Sequence, residues 1–132
     1  MAEVLQLLSN TDRESMEVSF VSHSAPMVRG ILLTAQFLLP ANNSVNHLEK
    51  AIREAYDSAL FVRIVDGSPR VAAVAGSNFA DIGFAVNGRQ AAVLVAIDNL
   101  GKGMAGQAVQ NMNLALGFKE TEGLWTAGGY PY

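Results

Sequence analysis

The chain has 132 residues, half of them hydrophobic, which suffices for one domain with a core of its own. A net charge of −3 without any basic run argues against a nucleic-acid surface. The absence of cysteine removes disulfides, thiolate metal sites and thiol catalysis from this chain, and the lack of a leader pattern or a bilayer-length apolar run reads as a cytoplasmic soluble protein with no membrane partner.

In chain order, Met1 to Leu8 is a short apolar helical remnant, and Ser9 to Ser15 is a polar break. Glu17 to His23 alternates, with Val18 and Phe20 on one face, and is expected to be a strand. Gly30 to Leu39 is a more apolar strand ended by Pro40 and Asn42-Asn43, after which Ser44 can cap a helix running to about Ser58. That helix carries an apolar stripe of Val45, Leu48, Ile52, Ala55 and Ala59, with Glu49/Arg53 and Lys50/Glu54 as i,i+4 pairs on its wet side. Next come Phe61 to Val65, the Asp66-Gly67-Ser68-Pro69 turn, the apolar run Val71 to Ala75, and strands Ile82 to Val86 and Ala91 to Ile97 joined across Asn87-Gly88 as a hairpin. A second helix spans about 102 to 116. Residues 1–132 therefore read as one α+β domain: a mixed, mainly antiparallel sheet with helices chiefly on one face. Both alternations of the second strand, Ile31/Leu33/Ala35/Phe37 and Leu32/Thr34/Gln36/Leu38, are largely apolar, so its other face is expected to meet another subunit or domain.

The final helix is the most telling segment, because no charged residue occurs between Gly103 and Phe118. Met104, Ala105, Ala108, Val109, Met112 and Leu116 recur at helical spacing, opposite the uncharged amides Gln107, Gln110, Asn111 and Asn113, a composition suited to a helix covered on both sides. At its start, Gly101-Lys102-Gly103-Met104-Ala105-Gly106 fits G-x-G-x-x-G after an apolar strand. A self-contained dinucleotide site is rejected, since that fingerprint needs a second parallel strand ending in an acidic residue, and T-E-G-L-W-T-A-G-G-Y-P-Y is no strand. What stays open is a tight structural turn or a turn that a ligand approaches. Asn99 can cap the helix, Lys102 can be merely solvated, and Ser77 and Asn78 can satisfy backbone groups at a bend. His47 has no assigned role, and two distant histidines make no metal site. Trp125, Tyr130 and Tyr132 are expected to cover apolar surface.

Three ordered pieces carry a family resemblance: S-H-S-A-P-M-V-R-G-I (22–31), G-S-N-F-A-D-I-G (76–83), and A-I-D-N-L-G-K-G-M-A-G-Q-A-V-Q-N-M-N-L-A-L-G-F (96–118) followed by E-T-E-G-L. They resemble the C-terminal part of N-acetyl-gamma-glutamyl-phosphate reductase, and equally the related enzyme of lysine and arginine biosynthesis acting on carrier-protein-bound aminoadipyl or glutamyl phosphate. The resemblance implies the substrate and dimerisation domain of the glyceraldehyde-phosphate and semialdehyde dehydrogenase superfamily. It further implies a homo-oligomer, dimer or tetramer, whose helix at 99–118 returns to an NADP-binding domain. In that family a cysteine thiolate attacks the acyl phosphate and NADPH reduces the resulting thioester, with cysteine and nucleotide motif in an N-terminal domain. Ala2-Glu3-Val4 resembles the residues just after the family's catalytic histidine, so the chain is expected to be a fragment, inactive alone, with NADP held mainly elsewhere. A free-standing noncatalytic homodimeric or ligand-binding module is the alternative.

By the same resemblance Asn99 lies near the nicotinamide, with Gly101, Lys102, Gly103 and Gly106 in the turn that approaches the cofactor. Gly101 stands where family members commonly carry a bulkier apolar residue, which loosens that turn. His23 and Arg29, flanking the Pro26 turn, suit the acidic acyl-phosphate substrate, since an arginine fork matches a carboxylate or phosphate. For Arg29 the competing reading is an ion pair with Asp81, which can also orient it. Ser77 and Asn78 are the lesser substrate candidates. Met27-Val28 leans toward the carrier-protein type of substrate.

Overall fold

The computed structural model describes residues 18–129. The helical reading of Met1 to Leu8, the break at Ser9 to Ser15 and the roles of Tyr130 and Tyr132 lie outside the described residues. Strand β1 (Ile31–Leu38) leads to helix α1 (Val45–Tyr56), and strand β2 (Val62–Ile64) to the single-turn helix α2 (Val71–Val74). Strands β3 (Ala80–Asn87) and β4 (Gln90–Ile97) form a hairpin, after which a π-helical turn, Gly101–Ala105, opens helix α3 (Gly106–Leu116). The sheet order is β1-β4-β3-β2. Both pairs involving β4 are antiparallel and β2 runs parallel to β3, which gives the mixed α+β architecture expected. Among the described residues no helix is long and apolar enough to cross a membrane.

The pairing puts Ile82, Phe84 and Val86 of β3 beside Val95, Val93 and Ala91 of β4, all on one face. Leu48 and Ile52, one turn apart on α1, close over that face with Leu39 to form the core. Burying each contributes about 1.5–3 kcal/mol relative to exposure. Ser44 caps α1 with an extended backbone, and His47 completes the cap, its Nδ1 accepting the Ser44 backbone N–H at 3.2 Å. His47 thus has a structural task that the sequence reading left unassigned. On the wet side Arg53 bonds Glu49 at 2.9 Å and Lys50 meets Glu54 at 3.7 Å.

Two expectations change in position or type. Residues 18–23 form no strand, because alternation supplies an apolar face but no ladder partner. The apolar run Val71 to Ala75, read without an element type, contains one helical turn, Val71–Val74. The hairpin turn sits one residue later than read: Asn87 pairs with Gln90, so Gly88-Arg89 are the loop, with Gly88 at φ 60°. A positive φ at the first loop residue alone fits a type II′ turn. The register decides this, since a one-residue slip would turn Val86 and Ala91 away from α1.

Helix α3 has its polarity reversed. Gly106, Gln110 and Asn113 are its buried positions, whereas Met104 in the preceding turn and Met112 and Leu116 on α3 are 58%, 49% and 65% exposed. The amides are covered by the chain's own return: Asn113 Nδ2 donates to the carbonyls of Glu120 and Glu122, and Gln110 Nε2 to Glu120 Oε1. Gly117, left-handed at φ 74°, ends the helix, with Phe118 N–H reaching the Asn113 carbonyl at 2.8 Å. Trp125 then packs on Phe61 and Phe79, ring centroids 5.8 and 5.5 Å away, as expected of a surface-covering aromatic. Strand β1 is exposed along its whole length, so both its apolar alternations face outward.

Opposite α1, the loop after β2 crosses the sheet so closely that a β-carbon on Gly83 would collide with the carbonyl of Gly67 and touch Pro69. Gly83→Ala should therefore lower the stability of the chain by about 1–3 kcal/mol, as overpacking does. A urea midpoint unchanged by that substitution would show that the loop does not press on the sheet.

Candidate functional site

Where β4 ends, the chain places an acidic residue in full burial: Asp98 is 0% exposed. Such a carboxylate is tolerable only if its oxygens are saturated with donors. Oδ2 meets Arg29 Nε at 2.6 Å and accepts the Gly76 N–H at 2.6 Å. Oδ1 accepts Arg29 Nη2 at 3.1 Å and the N–H groups of Leu100 and Gly101 at 2.9 and 2.5 Å. Burial alone would raise its pKa, but Arg29 and the three backbone donors outweigh that and hold the carboxyl at about 2, below its ordinary 3.8.

Asp98, not Asn99, therefore serves the backbone donors at the helix start. Asn99 turns the other way, its Oδ1 accepting the Gly30 N–H at 2.9 Å. Gly30 has φ 108°, and a side chain there would strike Val71, so glycine is required for this approach. Asp98-Asn99 thus grips Arg29-Gly30 twice. The expected Arg29–Asp81 pair does not form: Asp81 is taken by Arg63, at 2.6 and 3.0 Å, which also lies 4.7 Å over the Phe79 ring. Parallel pairing of β2 with β3 sets Arg63 directly beside Asp81, a neighbour that sequence order conceals.

The small residues at the helix start are used by the chain's own packing. A β-carbon on Gly101 would lie 2.5 Å from the Ser77 carbonyl, one on Gly103 3.1 Å from the Asp98 carbonyl, and one on Gly106 would overlap Asn78 Oδ1. Ser77 is buried and serves backbone groups, donating to Val74 O at 2.7 Å and accepting from Phe79 N at 3.3 Å. Asn78, also buried, donates to Gln110 Oε1 at 2.9 Å. Lys102 is not simply solvated. Its Nζ donates to the same Gln110 Oε1 at 2.7 Å and lies 5.8 Å over the Phe61 ring. Burial lowers its pKa, against the opposing pull of Glu120.

Beside Arg29 opens a cavity of about 280 Å³ whose walls include Met27, Val28, Val71, Ala72 and Ala75. An apolar cleft with an arginine among its lining residues suits a small molecule bearing a carboxylate or phosphate. His23 is exposed in the irregular segment ahead of this turn and makes no hydrogen bond among the described residues. No group of three metal-ligating side chains occurs among the described residues. The turn itself is poorly suited to a phosphate: besides the two N–H groups bonded to the Asp98 side chain, Gly103 N–H bonds Asp98 O and Ala105 N–H bonds Leu100 O. Asn99, whose Oδ1 is fixed on Gly30, offers Nδ2 as a donor, which suits the carboxamide end of a nicotinamide better than its phosphates. Sequence reasoning missed Asp98, Arg63 and Glu120. For Asp98 the signal was available: an acid directly after a fully apolar strand needs a cation or N–H donors.

Residues 1–99 match the family described as semialdehyde dehydrogenase, dimerisation domain. The chain is 44% identical over 132 residues to the N-acetyl-gamma-glutamyl-phosphate reductase of Methanosarcina acetivorans, covering 98% of this chain and 39% of that protein. It is 46% identical over 130 residues to the enzyme of that name from Symbiobacterium thermophilum, covering 96% of this chain and 37% of the relative. The corresponding protein of Streptococcus thermophilus is 42% identical over 130 residues, covering 97% and 38%. The chain thus spans about two fifths of the length of the relatives it matches.

Asp98→Ala removes the buried carboxylate that Arg29 and three backbone N–H donors share, and should cost about 3–5 kcal/mol in a urea melt. Because the folded carboxyl has a depressed pKa, its stabilisation is complete above 3.8 and is lost as pH falls through about 2. The gap in urea midpoint between the parent chain and Asp98→Asn should therefore narrow over that interval. A gap independent of pH would contradict an ionised Asp98.

Proposed function

Since the chain belongs to the semialdehyde dehydrogenase dimerisation-domain family, we propose that it is the substrate-binding and dimerisation part of an NADP-dependent N-acetyl-gamma-glutamyl-phosphate reductase, which converts an acyl phosphate to its semialdehyde. One juxtaposition carries the reading. Arg29, suited to an acidic substrate, and Asn99, suited to a cofactor amide, are locked into one cluster although their segments lie 69 positions apart.

In this reading the Arg29 guanidinium holds a carboxylate or phosphate oxygen at the edge of the apolar cleft. Asn99 presents its Nδ2 to a carboxamide oxygen, and Lys102, its ammonium held by Gln110, belongs to the turn that follows. Bound there, the dinucleotide supplies the hydride. The chain has no thiol, so the nucleophile that displaces phosphate belongs to other parts of the enzyme. His23, exposed in the segment ahead of Arg29, is the second candidate for substrate contact, while Ser77 and Asn78 pack against the helix start. The names of the relatives favour the acetylated substrate over a carrier-protein-bound one.

The two exposed apolar surfaces fit this assignment. The side of α3 bearing Met112 and Leu116, with Met104 ahead of it, docks on the nucleotide-binding domain, and β1 packs against a second copy. Leu32 and Leu38 are 45% and 65% exposed on one face of β1. Replacing both by Glu should turn the dimer into monomers in sedimentation equilibrium, because buried like charges would face each other across the twofold axis. A dimer that survives the change would place the contact elsewhere.

For the activity, the full-length protein that carries this chain should form NADPH from the semialdehyde only when inorganic phosphate is present, since phosphate must take up the acyl group released on oxidation. Oxidation that proceeds equally well without phosphate would refute an acyl-phosphate reductase.

A further inference from the structure

The substrate turn and the helix start are joined by more than proximity. Asp98 holds the Arg29 guanidinium by Nε at 2.6 Å and Nη2 at 3.1 Å, while its neighbour Asn99 holds the next backbone N–H, that of Gly30, at 2.9 Å. The Arg29 side chain keeps 26% of its surface exposed and borders the cleft, whereas the Asp98 side chain is wholly buried. Asp98 therefore acts on a bound molecule only through Arg29. A guanidinium is a rigid planar fork, so the hydrogen bond from Nη2, with Nε in ion-pair contact beside it, orients the whole group. That plane decides whether an incoming carboxylate or phosphate meets two parallel donors or one. The carboxylate is itself immobile, because Gly76, Leu100 and Gly101 pin it from three other directions.

We propose that Asp98 is a positioning residue for the reductase reaction: it sets the Arg29 fork at the substrate cleft before substrate arrives. The proposal rests on the reading of Arg29 as the substrate-binding group. Asp98 is distinct from an ordinary buried ion-pair partner because the residue it holds remains partly exposed at a cleft. Its other three donors belong to the Gly76 bend and to the helix start itself, at Leu100 and Gly101.

The test uses the full-length protein and steady-state kinetics. Asp98→Asn retains a carbonyl oxygen for the Leu100 and Gly101 N–H groups but loses the charge and one acceptor. It should raise the KM for the acyl phosphate about tenfold, within the coupling expected of contacting residues, and leave the NADPH Kd within about twofold. Arg29→Ala should raise the same KM, and the double variant should be no worse than Arg29→Ala alone. An unchanged KM in Asp98→Asn with a raised KM in Arg29→Ala overturns the positioning role and spares the substrate assignment. An unchanged KM in Arg29→Ala overturns both. Additive effects in the double variant, or a parallel rise in NADPH Kd, mean general loosening and also overturn it. Should Asp98→Asn fail to fold, ¹⁵N relaxation of the Arg29 Nε–H in the unaltered, substrate-free protein decides the matter. An order parameter above about 0.8 supports a pre-set fork, and one below about 0.6 refutes it.

Discussion

One carboxylate organises this domain. A fully buried aspartate is tolerated only where donors surround it, and the chain brings those donors from three separate places: the Arg29 turn, the Gly76 bend and the helix start at Leu100 and Gly101. The glycines at 101 and 106 let the 76–78 bend seat against the helix start, and the one at 30 lets its backbone approach Val71 and the end of β4. What resembles a ligand-cradling motif in the sequence is, in the fold, the packing surface of an internal joint.

A second constraint acts at the periphery. Polar Gln110 and Asn113 turn inward to partners on the 119–124 return, on Asn78 and on Lys102, and this leaves the apolar positions of α3 outside. Together with β1, exposed from end to end, the helix gives this domain two apolar faces that its own core does not use. Water is a poor solvent for either. Membership of a dimerisation-domain family accounts for an interface of this kind, and the share of its relatives' length that the chain spans leaves room for a further domain to meet the other.

Reading residues alone recovered the element types that depend on near neighbours. The amphipathic stripe of Leu48 and Ile52, the Ser44 cap and the strands on either side of the hairpin are all local, and each appears close to where it is expected. The errors have a common origin. Glu17 to His23 alternates convincingly, yet residues 18–23 remain irregular because a strand exists only through a partner. For Arg29 the sequence offers substrate contact or an ion pair with Asp81; an ion pair forms, but the β2–β3 register gives Asp81 to Arg63 and Arg29 pairs with Asp98. Asn99 drew attention as a cap while its neighbour held the position, since which of two adjacent side chains turns inward depends on where the strand stops.

By itself the sequence determined the fold class, the helix and strand periods, the two unsatisfied apolar surfaces and, through three ordered motifs, the family. These depend on spacing along the chain or on composition, both of which survive without coordinates. Only the tertiary structure decided which acid meets which arginine, which face of α3 is inside, and that the Arg29 turn and Asn99 share one buried joint. Those outcomes depend on contacts between residues 69 positions apart. Electrostatic and hydrogen-bond energies fall off within a few ångströms in space and carry no memory of distance along the chain.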